Sequence, residues 1–357
     1  MTTKYQLKNG MNVLLIESHK SPVVAVQMWV KTGSADEEKG LEGISHFIEH
    51  LVFKGTKKYK VGEVAKAVET AGGDLNAYTS FDQTVFHVTL SKEFVDTGLD
   101  VVSQMMGFPT FDKIEIDNER EVVIEEIKRS QDNPHQQGSR LLFSTAYHEH
   151  PYRHPVLGFE KNIRDVTQEE IQKYFNARYV PQNMNLVIVG NFKTPEMKKK
   201  IVSYFGSFKK YPLKKVKRSV EPKQKQVRIA AKNIDFKECI MYLSWVTPKA
   251  THKDLAPLTL LAMILGQGDS SRLVQEIRNE KQLVNSIGSS LFSPKEPGFF
   301  AVSAALNPDK QKEVLNAVQS VLEKFLDSGP TQEEVNKSIQ ILESERYYSM
   351  ETVDGLA

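Results

Sequence analysis

The feature that most constrains this chain is an order of elements that occurs twice, once on each side of a basic stretch at residues 209–228. That stretch holds nine Lys/Arg, one acid (Glu221) and two prolines (Pro212 and Pro222). A charged, Pro-containing segment between two apolar-patterned regions reads as an interdomain linker. The rival reading, a strip that binds polyanions, lacks aromatic residues interleaved at stacking positions. Before the stretch, the apolar pattern predicts a strand at 24–31, a helix at 44–53 and a strand pair at 72–90, then helices at 93–106 and 114–128. After it the same order returns: a strand at 240–246, a helix at 255–265, a strand pair at 284–306, and helices at 310–326 and 332–348. The two copies share little sequence, so the repeat rests on order and spacing. The first copy runs on through 147–175 to a terminal strand at 184–191, whereas the second reaches Ala357 without an equivalent. The second copy is therefore expected to be incomplete, short by a strand and its preceding helices, on the order of 50 residues or more.

The expected fold is α+β, with two homologous domains, each a mostly antiparallel sheet packed with helices. The expected boundaries are 1–208, a linker at 209–228, and 229–357. A chain of 357 residues is long enough for two cores. With 47 basic against 45 acidic residues, the charge balance argues against disorder and against nucleic acid as a partner. No apolar run approaches the roughly 18–20 residues of a membrane span. The chain enters a strand-like pattern at Leu7 and 11–16 with no secretory signal before it, which leaves the compartment open between cytoplasm and periplasm. Gly266-Gln267-Gly268 lacks the third glycine and the strand context of a nucleotide loop. The single cysteine, Cys239, excludes an intramolecular disulfide and a thiolate metal cage. A metal site in this chain must use His, Asp and Glu.

Such a site is suggested by His46-Phe47-Ile48-Glu49-His50 within an otherwise apolar helical stretch. Residues four apart on a helix lie one above the other, with Cβ atoms about 5–6 Å apart, so both imidazoles reach one ion. Glu49 stands beside that ion, placed to take a proton from bound water, the HExxH logic in reverse order. The blander reading is a solvated amphipathic face. The apolar neighbours weigh against it, because two histidines and a carboxylate are costly to bury unless paired or metal-bound. A catalytic zinc takes three protein ligands and one water. The best candidate stretch for the third ligand is residues 119–126. Glu119 and Glu126 share one helix face and Glu125 lies about 100° away, and periodicity does not choose between the faces.

The sequence closely resembles the inverzincin zinc metallopeptidases, the family of pitrilysin, insulin-degrading enzyme and the mitochondrial processing peptidase β subunit. The resemblance covers nearly the whole chain. It is carried by Leu7-Lys8-Asn9-Gly10, by the stretch from Trp29 to Ser34, by Gly43 to His50, and by Phe53-Lys54-Gly55-Thr56. Gly73 to Thr79, Glu119-Arg120-Glu121-Val122-Val123, Pro155-Val156-Leu157-Gly158 and Tyr179 to Met184 complete it. The resemblance implies a zinc-dependent endopeptidase acting on peptides or unfolded polypeptide segments, shaped as one half of a clam-shell. It implies His46, His50 and Glu126 as ligands of one Zn2+ and Glu49 as general base. Glu126 closes the family's Glu-Arg-x-Val-x-x-x-Glu pattern 76 residues past His50. Glu119 matches a second family glutamate that assists near the metal, and Asn76 and Ala77 match the edge strand on which substrate is laid.

One departure bears on partners. The family pairs an Arg with a Tyr seven residues on, in the half opposite the zinc. Here Arg278 fills such an arginine position, but seven residues on stands Asn285. A second half-molecule is therefore expected to supply the pair, as a hetero- or homodimer partner or as the C-terminal half of a longer chain. The alternative is a half that is non-catalytic, or inactive alone. His148, His150 and His154 with Glu149 lie in a Pro-containing loop without helical spacing and read as a polar loop rather than a second metal site.

Overall fold

The computed structural model describes residues 2–213 and 216–357; the predicted linker thus lies within the described residues except for positions 214 and 215. In chain order the strands and helices begin with β1 (Thr2–Gln6), β2 (Asn12–Glu17), β3 (Val23–Val30), α1 (Ile44–Leu51) and α2 (Glu63–Thr70). They continue with β4 (Asp74–Thr79), β5 (Thr84–Ser91), α3 (Val95–Gly107), α4 (Lys113–Asp132), α5 (Pro134–Ala146), α6 (Glu160–Asp165) and α7 (Gln168–Arg178). Then come β6 (Met184–Gly190), α8 (Thr194–Phe205), β7 (Cys239–Thr247), α9 (Leu255–Gly266), β8 (Ser286–Phe292) and β9 (Gly298–Leu306). The last elements are α10 (Gln311–Ser328), α11 (Gln332–Ser349) and α12 (Val353–Leu356). Every strand and helix of the twofold plan is present, with ends shifted by at most four residues. The architecture is α+β with antiparallel-rich sheets.

The contacts divide the chain into two units. One holds the described residues of Met1–Arg129, His154–Ser219 and Tyr348–Ala357, the other Ser130–Arg153 and Val220–Tyr347. This division is not linear along the chain, unlike the predicted boundaries. Residues 130–153 sit with the second unit because α5 packs on β7. Residues 348–357 sit with the first because α12 packs on β3 and β6. There the Gln27 amide donates to Asp354 Oδ1 at 2.9 Å.

In the first unit the sheet order is β1-β2-β6-β3-β5-β4, with only β2 and β6 parallel. The period of two in β3 turns Val24, Val26, Met28 and Val30 onto one face, where all four are fully buried. The helices cover that face with apolar stripes. Ile44, Phe47, Ile48 and Leu51 of α1 recur at the 3–4 spacing of one helix side and are buried. Each such side chain contributes about 1.5–3 kcal/mol by leaving water. The second unit repeats the central part, as a β7-β9-β8 sheet in the order of β3-β5-β4. Its own core is built on Leu273, Ile277, Val302, Leu306, Val314 and Val318.

Candidate metal centre

Helix α1 carries the predicted His-x-x-Glu-His run on the side opposite its core stripe. Its entry requires two glycines. Gly43 precedes the helix at φ 105°, and a Cβ there would lie 2.7 Å from the Leu157 carbonyl oxygen. Gly158 faces it at φ +72°, where a Cβ would lie 2.1 Å from the Glu42 carbonyl oxygen. This backbone-on-backbone contact explains the glycine of Pro155-Val156-Leu157-Gly158. A glycine cap offers no side-chain acceptor, so the orphan N–H groups of the first turn need another partner. Glu37 supplies it, accepting from the N–H of Gly43 and of Ser45 at 2.8 Å each. Burial pushes the Glu37 carboxyl up to about 8, against the pull of those two donors. Ser45 Oγ is also hydrogen-bonded to the Tyr174 hydroxyl at 2.8 Å, which ties α1 to α7.

Helix α4 brings the acids. Its Arg120 donates to the carbonyl oxygens of Ile163, Arg164 and Val166 at the end of α6 and lies 5.6 Å from the Phe47 ring centroid. With α4 held so, Glu126 Oε2 stands 3.6 Å from His46 Nε2 and 3.6 Å from His50 Nε2. Glu119 Oε1 accepts from His50 Nδ1 at 2.8 Å, and its other oxygen meets Lys54 Nζ at 2.7 Å. Glu125, left open by periodicity, pairs instead with Lys128 at 2.7 Å on the surface.

His46, His50 and Glu126 are the one group of three or more His, Cys, Asp or Glu among the described residues able to hold a metal ion, with ligand atoms within 4.8 Å of one another. Two imidazoles and a carboxylate are ligands that zinc takes. A tetrahedron with bonds of about 2.0–2.1 Å has edges of roughly 3.3 Å. The 3.6 Å separations sit near that edge and beyond hydrogen-bond length, so the donors converge without bonding one another. The residues present therefore fit the ion.

Electrostatics sort the group. Burial, with His50 beside it, pushes His46 down to about 3, so its ring is neutral with a lone pair to offer. Burial also disfavours the charged form of His50, but the Glu119 carboxylate outweighs it and raises the pKa. Glu119 stays below the usual carboxylate range although burial opposes this, because His50 and Lys54 hold its charge. Glu49 is 9% exposed, and burial raises its pKa against a hydrogen bond from Thr79.

The structure thus brings His46, Glu49, His50, Glu119 and Glu126 together. Asn76 and Ala77 lie on β4, an edge strand of the first sheet, where the Ala77 N–H donates to Asn76 Oδ1 at 2.8 Å. Arg278 lies in the second unit, in a π-helical segment at Val274–Glu280, 3.4 Å from Asp269. Asn285 donates its amide to Glu238. In the second unit the His148, Glu149 and His150 N–H groups all donate to the Glu221 carboxylate, so that loop holds a linker acid. Sequence reasoning missed Glu37, Lys54 and Thr79 as partners of the site. The period of two in β4, which sets Thr79 on the face of Leu75 and Ala77, was a usable signal for the last.

A helix presenting His-x-x-Glu-His toward an acidic helix, over an antiparallel-rich sheet, makes an α+β scaffold around a candidate metal centre. Comparison with known proteins gives its place. Residues 12–160 match the family model described as "Insulinase (Peptidase family M16)", and residues 165–342 match "Peptidase M16 inactive domain". The "Zinc protease PqqE" of Helicobacter pylori is 33% identical over 341 residues, covering 93% of this chain and 76% of that protein. The chain belongs to peptidase family M16. A crystal structure of a protease from Helicobacter pylori superposes with a TM-score of 0.95 at 30% identity, over 100% of this chain and 87% of the other. The periplasmic protease PqqL of Escherichia coli shares the fold, with a TM-score of 0.77 at 21% identity, over 99% of this chain and 40% of that longer one. Among the described residues no helix is long and apolar enough to cross a membrane.

Proposed function

We propose that this chain is the zinc-bearing half of a metalloendopeptidase that cleaves peptides or unfolded polypeptide segments. The observation that carries the proposal is the convergence of His46 Nε2, His50 Nε2 and Glu126 Oε2 beside the buried carboxylate of Glu49. His46, His50 and Glu126 would hold one Zn2+. When bound, zinc supplies Lewis acidity, which lowers the pKa of a water and polarises a carbonyl. Glu49 takes the proton of the attacking water and returns it to the leaving amine. Glu119 holds the Nδ1–H of His50 and so turns the Nε2 lone pair toward the ion. Asn76 and Ala77 present the edge of β4, onto which a peptide adds as a strand, a mode that reads backbone more than side chains.

A second half-molecule completes the enzyme. It supplies the Arg/Tyr pair that Arg278 and Asn285 do not form, as a subunit or as the remainder of a longer chain. The structurally similar PqqL chain, of which this one covers 40%, supports that reading. A second reading, a half that is non-catalytic or inactive alone, is favoured by one observation: residues 165–342 match a domain described as inactive.

Metal content and cleavage of an internally quenched peptide, with and without a second half-molecule, separate the two. About one zinc per chain, lost in His50→Ala, with cleavage lost in a zinc-replete Glu49→Gln, is the expected result. Undiminished turnover by Glu49→Gln in a preparation free of wild type would refute the assigned base.

A further inference from the structure

We propose that Thr79 is a positioning residue for the general base: its hydroxyl fixes Glu49 Oε2 and leaves Oε1 as the oxygen that carries the proton. The proposal rests on the reading of Glu49 as the base.

The Thr79 hydroxyl donates to Glu49 Oε2 at 2.5 Å. Its only other acceptor among the described residues, Thr84 Oγ1, lies at 3.5 Å. Thr84 is fully buried and spends its own proton on the Thr32 carbonyl at 3.0 Å. A charged acceptor a full ångström nearer takes the Thr79 proton. Glu49 Oε1 has no hydrogen-bond partner among the described residues. The two carboxylate oxygens, equivalent in sequence, are therefore inequivalent in place.

The anchor is itself held. Thr79 is the last residue of β4 and pairs in register with Thr84 on β5. The turn that follows is braced from outside the hairpin. Ser34 and Ala35 donate their N–H groups to the Ser80 and Phe81 carbonyl oxygens at 3.1 and 2.9 Å. Arg218, in the predicted linker, binds both Asp82 in this turn and Asp36. A flexible glutamate is thus tied by a hydroxyl whose backbone is fixed on both sides.

The chemical consequence follows. As the water oxygen bonds the carbonyl carbon, one water proton passes to Oε1; as the C–N bond breaks, that proton passes to the amine nitrogen. Oε2 stays bonded to Thr79 throughout, so the side chain need not rotate between the two transfers. The strand that supplies this hydroxyl is also the strand proposed to receive the peptide. Ala77, two residues before Thr79, shares its face. A peptide added along β4 therefore registers against the same backbone that orients the base.

The test compares wild type, Thr79→Val and Thr79→Ser, each checked for folding and zinc content, with Glu49→Gln as reference. Thr79→Val should keep about one zinc per chain and change KM by less than about 2-fold, while kcat falls roughly 10- to 100-fold, the loss expected for a hydrogen bond to a charged group. Thr79→Ser restores the hydroxyl and should recover most of kcat. Wild-type kcat in Thr79→Val, a loss that Thr79→Ser does not recover, or a change in KM alone would overturn the proposal. Crystal structures of the zinc-loaded wild type and Thr79→Val provide a readout without turnover. A Glu49 carboxylate ordered on Thr79 in the first and displaced in the second is expected; one rotamer in both would overturn the anchor. Absence of cleavage by wild type assayed together with its second half-molecule, with Glu49 ordered on Thr79, would count against the proposed function, not the anchor.

Discussion

Replacing Glu119 by Gln tests how the second glutamate tunes the site. Glu119 is 5% exposed, accepts from His50 Nδ1 at 2.8 Å and meets Lys54 Nζ at 2.7 Å. The substitution preserves shape and leaves an amide oxygen able to accept from His50, but removes the negative charge. A hydrogen bond to a charged acceptor contributes about 1.5–3 kcal/mol against about 0.5–1.5 for a neutral one. The difference is about 1–1.5 kcal/mol. The His50 side chain is 23% exposed and that of Glu119 only 7%, so solvent screening removes little of it. Basicity at His50 Nε2 falls accordingly, and zinc affinity should drop roughly 5- to 15-fold, at the lower end of what loss of such a partner costs. Chelator competition at pH 7.5 measures it directly, with Lys54→Met as a milder companion. A zinc Kd within about 2-fold of wild type would refute the reasoning, since the His50–Glu119 bond would then not govern the lone pair offered to the metal.

Two further outcomes follow from the packing. Gly158→Ala places a methyl 2.1 Å from the Glu42 carbonyl oxygen at φ +72°, so it should destabilise the first unit by about 2 kcal/mol or more and lower zinc occupancy, read by denaturant unfolding and metal analysis. In the second unit, Arg272 grips both oxygens of Glu334 at 2.6 and 2.7 Å, and this bond holds the Glu334 carboxyl at about 2. Because the folded pKa is depressed, the stabilisation is full above the ordinary carboxylate value and is lost as pH falls toward 2. Arg272→Leu should therefore lower the melting temperature of the second unit at pH 7 and have a shrinking effect below pH 4. An equal effect at pH 7 and pH 2.5 would refute that account.

Much of this protein was legible before its structure. The strand at 24–31 and the helix at 44–53 were readable because each buries a stripe whose period is local; the strand at 240–246 and the helix at 255–265 were readable as continuous apolar runs, the strand partly exposed and the helix buried at 262–266. The same holds for His46, Glu49 and His50, which lie within five residues of one another on α1. Helix α5 was not read as an element because its apolar residues pack against β7, more than 90 residues on, and none of them is fully buried. Glu221, which accepts from the N–H groups of the loop at 148–150, was not legible for the same reason of distance along the chain.

The sequence by itself determined the class of fold, the twofold order of elements and the residue types that converge on the candidate metal. Those are consequences of periodicity, which acts over a turn or a strand pair. Periodicity left open which acids face the histidines; the family resemblance implied Glu126 and Glu119, and only the tertiary structure places them there. Glu119, Glu125 and Glu126 are nearly adjacent in sequence, yet one bonds His50 Nδ1, one pairs with Lys128 in solvent and one meets both Nε2 atoms. That choice depends on how α4 is rotated against α1, which Arg120 and the apolar core set together. Thr79 reaching Glu49 belongs to the same class, because a strand edge and a helix face meet only when the sheet and its covering helices have packed.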